Sequence, residues 1–117
     1  QVDDADQQSC LPNRAILIYA AGFPGSRLGE NKAEQESEDL ITEKTPPMFM
    51  VHAFDDFVPV EGTANMLLAL KRAKVPAELH AYDAGGHGYG LRQVEDRPVT
   101  TWTVPCEAWL KRAGWVD

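Results

Sequence analysis

The sequence is short of cysteine, of cationic charge and of long apolar runs, and each shortage removes a class of protein. Two cysteines, Cys10 and Cys106, stand near opposite ends of 117 residues, too few and too far apart in sequence for a disulfide framework. Two separate thiols are the favoured reading, with a pair as the alternative if the fold joins the ends. Eleven Lys and Arg against 18 Asp and Glu leave a formal net charge of -7, which offers no basic patch to a phosphate backbone or an anionic lipid surface. Nucleic acid and membrane are therefore not expected partners. The longest apolar stretches, AILIYAAGF and MFMVHAF, fall far short of the roughly 20 residues that span a bilayer, and no charged-then-apolar leader precedes them. The first residue is Gln1 rather than methionine, which points to processing or truncation. The length is that of about one small domain.

What is present reads as alternating strands and helices. Residues 1–14 are polar and end at Pro12-Asn13, a loop entering a strand. Residues 15–21 form a continuous apolar run, the pattern of a strand buried on both faces. Residues 22–44 are charged with little apolar periodicity and read as a surface excursion with a short helix. After Thr45-Pro46-Pro47, Met48 to Ala53 form a second buried strand. Residues 60–74 place Met66, Leu67, Leu70 and Ala73 at helical spacing, with Lys71, Arg72 and Lys74 in the last turn where they favour the dipole. Val75-Pro76 stops that helix. Ala77 to Tyr82 is a third strand, residues 85–90 a glycine-rich turn, and residues 103–113 a final helix ended by Gly114. This order predicts an α/β fold of parallel strands with flanking helices.

In such sheets functional groups gather beyond the carboxyl ends of the strands. Asp55 and Asp56 follow the second strand and His87, within GGHGYG, follows the third, so an acid and a base are expected on one sheet edge. His87 is the candidate general base, and one of the aspartates would hold its tautomer. Alternation along an extended chain lets only one of them face the ring. The residues themselves leave that choice even, and an acidic pair after a strand is also ordinary turn chemistry. Ser26 falls in the right chain order, but PGSRL lacks the glycines of a G-x-S-x-G elbow and no strong helix follows, so it reads as a loop serine. Ser9 and Ser37 have less context still. His52 and His80 lie inside strands and read as satisfied sheet histidines. No metal spacing appears, and no cofactor is expected. Tyr89 and Phe57 read as aromatic packing at the strand ends, and Trp109 and Trp115 as anchors of the last helix.

The stretch TPPMFMVHAFDDFVPVEGTANMLLALKRAKVPAELHAYDAGGHGYGL resembles the C-terminal part of α/β-hydrolase esterases related to acetylxylan and feruloyl esterases and to dienelactone hydrolases. VPCEAWLKRAGW is similar to the closing helix of that group, and PNRAILIYAAG to the strand before the acid strand. The resemblance implies that residues 1–117 are the C-terminal portion of a single hydrolase domain whose nucleophile, oxyanion loop and earlier strands lie elsewhere. Counted back from Pro59 through DxxVP, it makes Asp55 the triad acid and Asp56 a loop residue, with His87 as the base. It implies a serine carboxylesterase acting on small acyl esters, acetyl groups of xylan among them, with acylated polysaccharide as substrate and the missing N-terminal half as partner. This chain alone is then expected to be inactive. Members of the group are often exported, which leaves a secreted or periplasmic setting open. Two other readings are a serine peptidase of the prolyl-oligopeptidase kind and a non-catalytic half-domain that binds a partner or forms a homo-oligomer.

Overall fold

The computed structural model describes residues 8–22 and 40–117. Three strands, β1 (Ala15–Ile18), β2 (Met48–Ala53) and β3 (Ala77–Tyr82), lie in chain order in one parallel sheet. Helix α1 (Val60–Arg72) joins β2 to β3, and a short 3₁₀ turn at Pro98–Thr101 leads into helix α2 (Thr103–Arg112). The α/β architecture read from the sequence is the one observed. The 3₁₀ turn was not foreseen.

β2 is the central strand, and its alternation divides the core into two layers. Phe49, Val51 and Ala53 pack with Tyr89, Val99, Trp102, Cys106 and Trp109 on one face, while Met50 joins Met66, Leu70 and Val75 on the other. α1 thus covers one side of the sheet, and α2 with the loop before it covers the other.

β1 departs from its sequence reading. It ends at Ile18, because Tyr19 takes φ 41 and turns the chain out of the extended region. It is also only partly buried, with Ile16 41% exposed, because β2 is its only strand partner among the described residues. β2 and β3 match their predicted bounds. α1 is two residues shorter than its periodicity suggests, since Ala73 caps it and Lys74 adopts φ 60. Trp109 is buried in the core as expected, but Trp115 is 54% exposed and its ring meets the Arg14 guanidinium in a loose cation–π contact. Cys10 is exposed and Cys106 buried, both as free thiols.

Candidate active site

The loops that leave β2 and β3 start from paired neighbours, Ala53 and Tyr82, so both emerge at the same sheet edge. After β2 the chain turns at once: Asp56 N–H donates to Ala53 O at 3.2 Å. In that turn Asp56 folds back beneath the strand end. Its side chain is 0% exposed, and Oδ1 accepts the Val58 N–H at 2.8 Å.

After β3 the chain passes through Gly85 and Gly86 before His87. Gly85 has φ 149, and a Cβ there would meet the Val99 side chain, so only glycine lets the loop pass this close to the core. His87 Nδ1 lies 3.0 Å from Asp56 Oδ1 and 2.9 Å from Oδ2. A carboxylate can only accept, so Nδ1 carries the proton and Nε2 has its lone pair free. The ring is held between two aromatics, Tyr19 at 4.5 Å and Phe57 at 4.6 Å between centroids.

This geometry corrects the expected contact between Asp55 and His87. The partner of His87 is Asp56, and Asp55 instead accepts the Gly86 N–H at 2.7 Å on the exposed side of the turn. The rule that neighbouring side chains point oppositely holds here, but the tight turn decides which of the two faces inward. Counting residues back from Pro59 could not resolve that. Asp55 still contributes, because its bond to Gly86 ties the acid loop to the histidine loop.

The other sequence candidates fall out as follows. Ser26 and Ser37 lie outside the described residues, and the Ser9 hydroxyl accepts from Leu11 N–H in an exposed turn. His80 donates to Glu78 at 2.7 Å, as a satisfied sheet histidine would. His52 is also satisfied, but by the acid turn itself: Nε2 lies 3.0 Å from Val58 O, and Nδ1 lies 2.8 Å from Thr63 Oγ1. Phe57 is 80% exposed and packs on His87 rather than in the core. Tyr89 is buried, with its hydroxyl unpartnered among the described residues. Its phenol is pushed well above the ordinary value, first by burial and then by the charges of the Asp56 carboxylate and the Tyr19 and Tyr82 phenol groups.

Two features were missed by sequence reasoning. One is the Tyr19 ring over His87, whose only signal was its place at the end of an apolar run. The other is a cleft of about 410 Å³ beside His87, lined also by Asp55, Gly85, Gly86, Asp96 and Arg97. No group of three or more His, Cys, Asp or Glu among the described residues is placed to hold a metal ion.

A histidine held by a buried carboxylate beside a polar cleft, at the carboxyl edge of a parallel sheet, is an arrangement that can carry acid–base chemistry. Neither a family model nor a curated protein matches the sequence. Solved structures do. The chain is similar to an acetyl ester-xyloside bifunctional hydrolase from Caldicellulosiruptor lactoaceticus, at 32% identity and TM-score 0.83 over 100% of this chain and 48% of that one. It is similar to a sugar hydrolase from Lactococcus lactis, at 28% identity and TM-score 0.66 over 87% and 48% of the two chains. An alpha/beta hydrolase enzyme from a Medee basin deep-sea metagenome library matches at 25% identity and TM-score 0.67, over 86% and 44%. The chain therefore carries part of an α/β-hydrolase fold, resembling the esterases and hydrolases of that class, and spans about half the length of the solved structures it matches.

Proposed function

We propose that this chain is the C-terminal portion of a serine carboxylester hydrolase acting on small acyl esters, and that Asp56 and His87 are its triad acid and base. The observation that supports this best is the buried Asp56 carboxylate on His87 Nδ1 at 2.9 and 3.0 Å, with His87 itself lining the cleft. In the proposed reaction a serine outside this chain attacks the ester carbonyl while His87 Nε2 takes its proton. The base returns that proton to the departing alcohol, and then activates the water that releases the acid. Asp56 holds the Nδ1–H tautomer throughout and balances the transient imidazolium. Acetyl groups on a xylose polymer are the proposed natural ester, a choice supported by the acetyl ester-xyloside hydrolase among the similar structures.

The test is hydrolysis of a soluble acetyl ester and of acetylated xylan by the intact protein that carries this chain, alongside its His87→Asn variant. The reading requires turnover that a serine-directed phosphonate abolishes, and loss of about a thousandfold or more in kcat for the variant. Turnover that survives His87→Asn would refute it. The 117-residue chain by itself should show none.

A further inference from the structure

We infer that His52 is a positioning residue for the acid–base pair, holding the turn that presents the Asp56 carboxylate to His87, with Thr63 satisfying the other ring nitrogen. This rests on the reading of Asp56 and His87 as acid and base. The His52 side chain is 0% exposed, and a buried imidazole is tolerated only where its nitrogens are satisfied. Both are, and the partners determine each other. Val58 O can only accept, so Nε2 carries the proton, and when the ring holds that proton alone Nδ1 accepts from the Thr63 hydroxyl. Thr63 lies in the first turn of α1. One ring therefore ties the strand, the acid turn and the following helix together.

Val58 is the shared element. Its C=O is held by His52 at 3.0 Å and its N–H by Asp56 Oδ1 at 2.8 Å. The two bonds fall on adjoining peptide groups, so losing the one to the carbonyl removes a restraint next to the N–H that orients the carboxylate. His52 Nε2 also lies 3.5 Å from Asp56 Oδ2, too far for a strong bond but close enough to place the ring against the carboxylate.

The readout that separates positioning from packing is the His87 ring. In the full chain labelled with ¹⁵N-histidine, neutral His87 should carry its proton on Nδ1. His52→Phe keeps the volume but loses the donor, and should shift His87 toward the Nε2–H form. In the intact protein the same change should lower kcat at least tenfold with KM within about twofold. His52→Gln, whose amide can still donate to Val58 O, should recover most of both signals. Thr63→Val removes only the distal partner and should lower kcat several-fold, and it decides the matter if His52→Phe does not fold. An unchanged His87 tautomer and unchanged kcat in a folded His52→Phe or Thr63→Val protein would overturn the inference. Absence of turnover in the unaltered protein, with the His87 ring responding as described, would instead count against the hydrolase reading alone.

Discussion

At the scale of single residues, Asp56 keeps its carboxylate out of solvent between the Val58 N–H and the His87 Nδ1–H, while its neighbour Asp55 accepts from Gly86 at the rim of the cleft. The same change at each should therefore act differently. Asp56→Asn presents an amide N–H or a weaker acceptor to His87 and disfavours the needed tautomer, so kcat on a soluble acetyl ester should fall by roughly 10⁴. Asp55→Asn keeps an oxygen for the Gly86 N–H, so its loss should stay within about tenfold. The reverse ranking would restore Asp55 as the acid. His87 and the acidic pair were legible because their chemistry shows in residue type and in their place after strands. Which aspartate turns inward was not, since that is set by the Asp56 N–H to Ala53 O bond, which no residue spacing encodes.

Among the elements, the two helices end in the same way with different residues. In α2, Gly114 N–H bonds to Lys111 O at 2.9 Å and Trp115 N–H to Leu110 O at 3.1 Å. In α1, Lys74 N–H bonds to Lys71 O at 3.1 Å and Val75 N–H to Leu70 O at 2.9 Å, with Val75 and Leu70 in one apolar cluster. Both are Schellman motifs, but the left-handed position is Gly114 in one and Lys74, at φ 60, in the other. Lys74 is exposed, so removing its side chain loses little packing and relieves the backbone. Lys74→Gly should stabilise the chain by about 0.5–1 kcal/mol, read as a higher urea midpoint with unchanged slope. At Gly85 the sign is opposite. Gly85→Ala must displace Val99, which is 0% exposed, and should both destabilise the protein and misplace His87. The effect should be a fall in kcat larger than the stability loss explains. The β2, α1 and β3 segments were legible from apolar runs and their Pro and Gly stops. The early end of β1 was not, since nothing in AILIYAA marks Tyr19 for a left-handed backbone.

For the whole molecule, two buried acids weaken the fold as the pH turns alkaline. Tyr89 is raised by burial and the nearby Asp56 carboxylate, and Cys106 by burial and then Glu78. Both groups are neutral when protonated, so the folded state retains protons that the unfolded chain gives up. Stability is therefore fully present below the unfolded values and falls as pH rises past about 9 for the thiol and about 10 for the phenol. Urea midpoints should decline across that range, and the decline should flatten in Tyr89→Phe and in Cys106→Ala. The other property at this scale is the one-sided pairing of β1. Ala15 N–H and Tyr19 N–H donate to Pro47 O and Val51 O of the neighbouring strand. Alternation turns Leu17 the same way and Ile16 and Ile18 the other. If the proposed remainder of the hydrolase sheet adds a strand there, the Ile16 and Ile18 amides should exchange quickly with solvent deuterium in the 117-residue chain. They should become protected in the intact protein, while Leu17 stays protected in both. Equal, fast exchange at Ile16 and Ile18 in the two would mean that the sheet does not continue past β1, and that a nucleophile has to reach His87 from some other side.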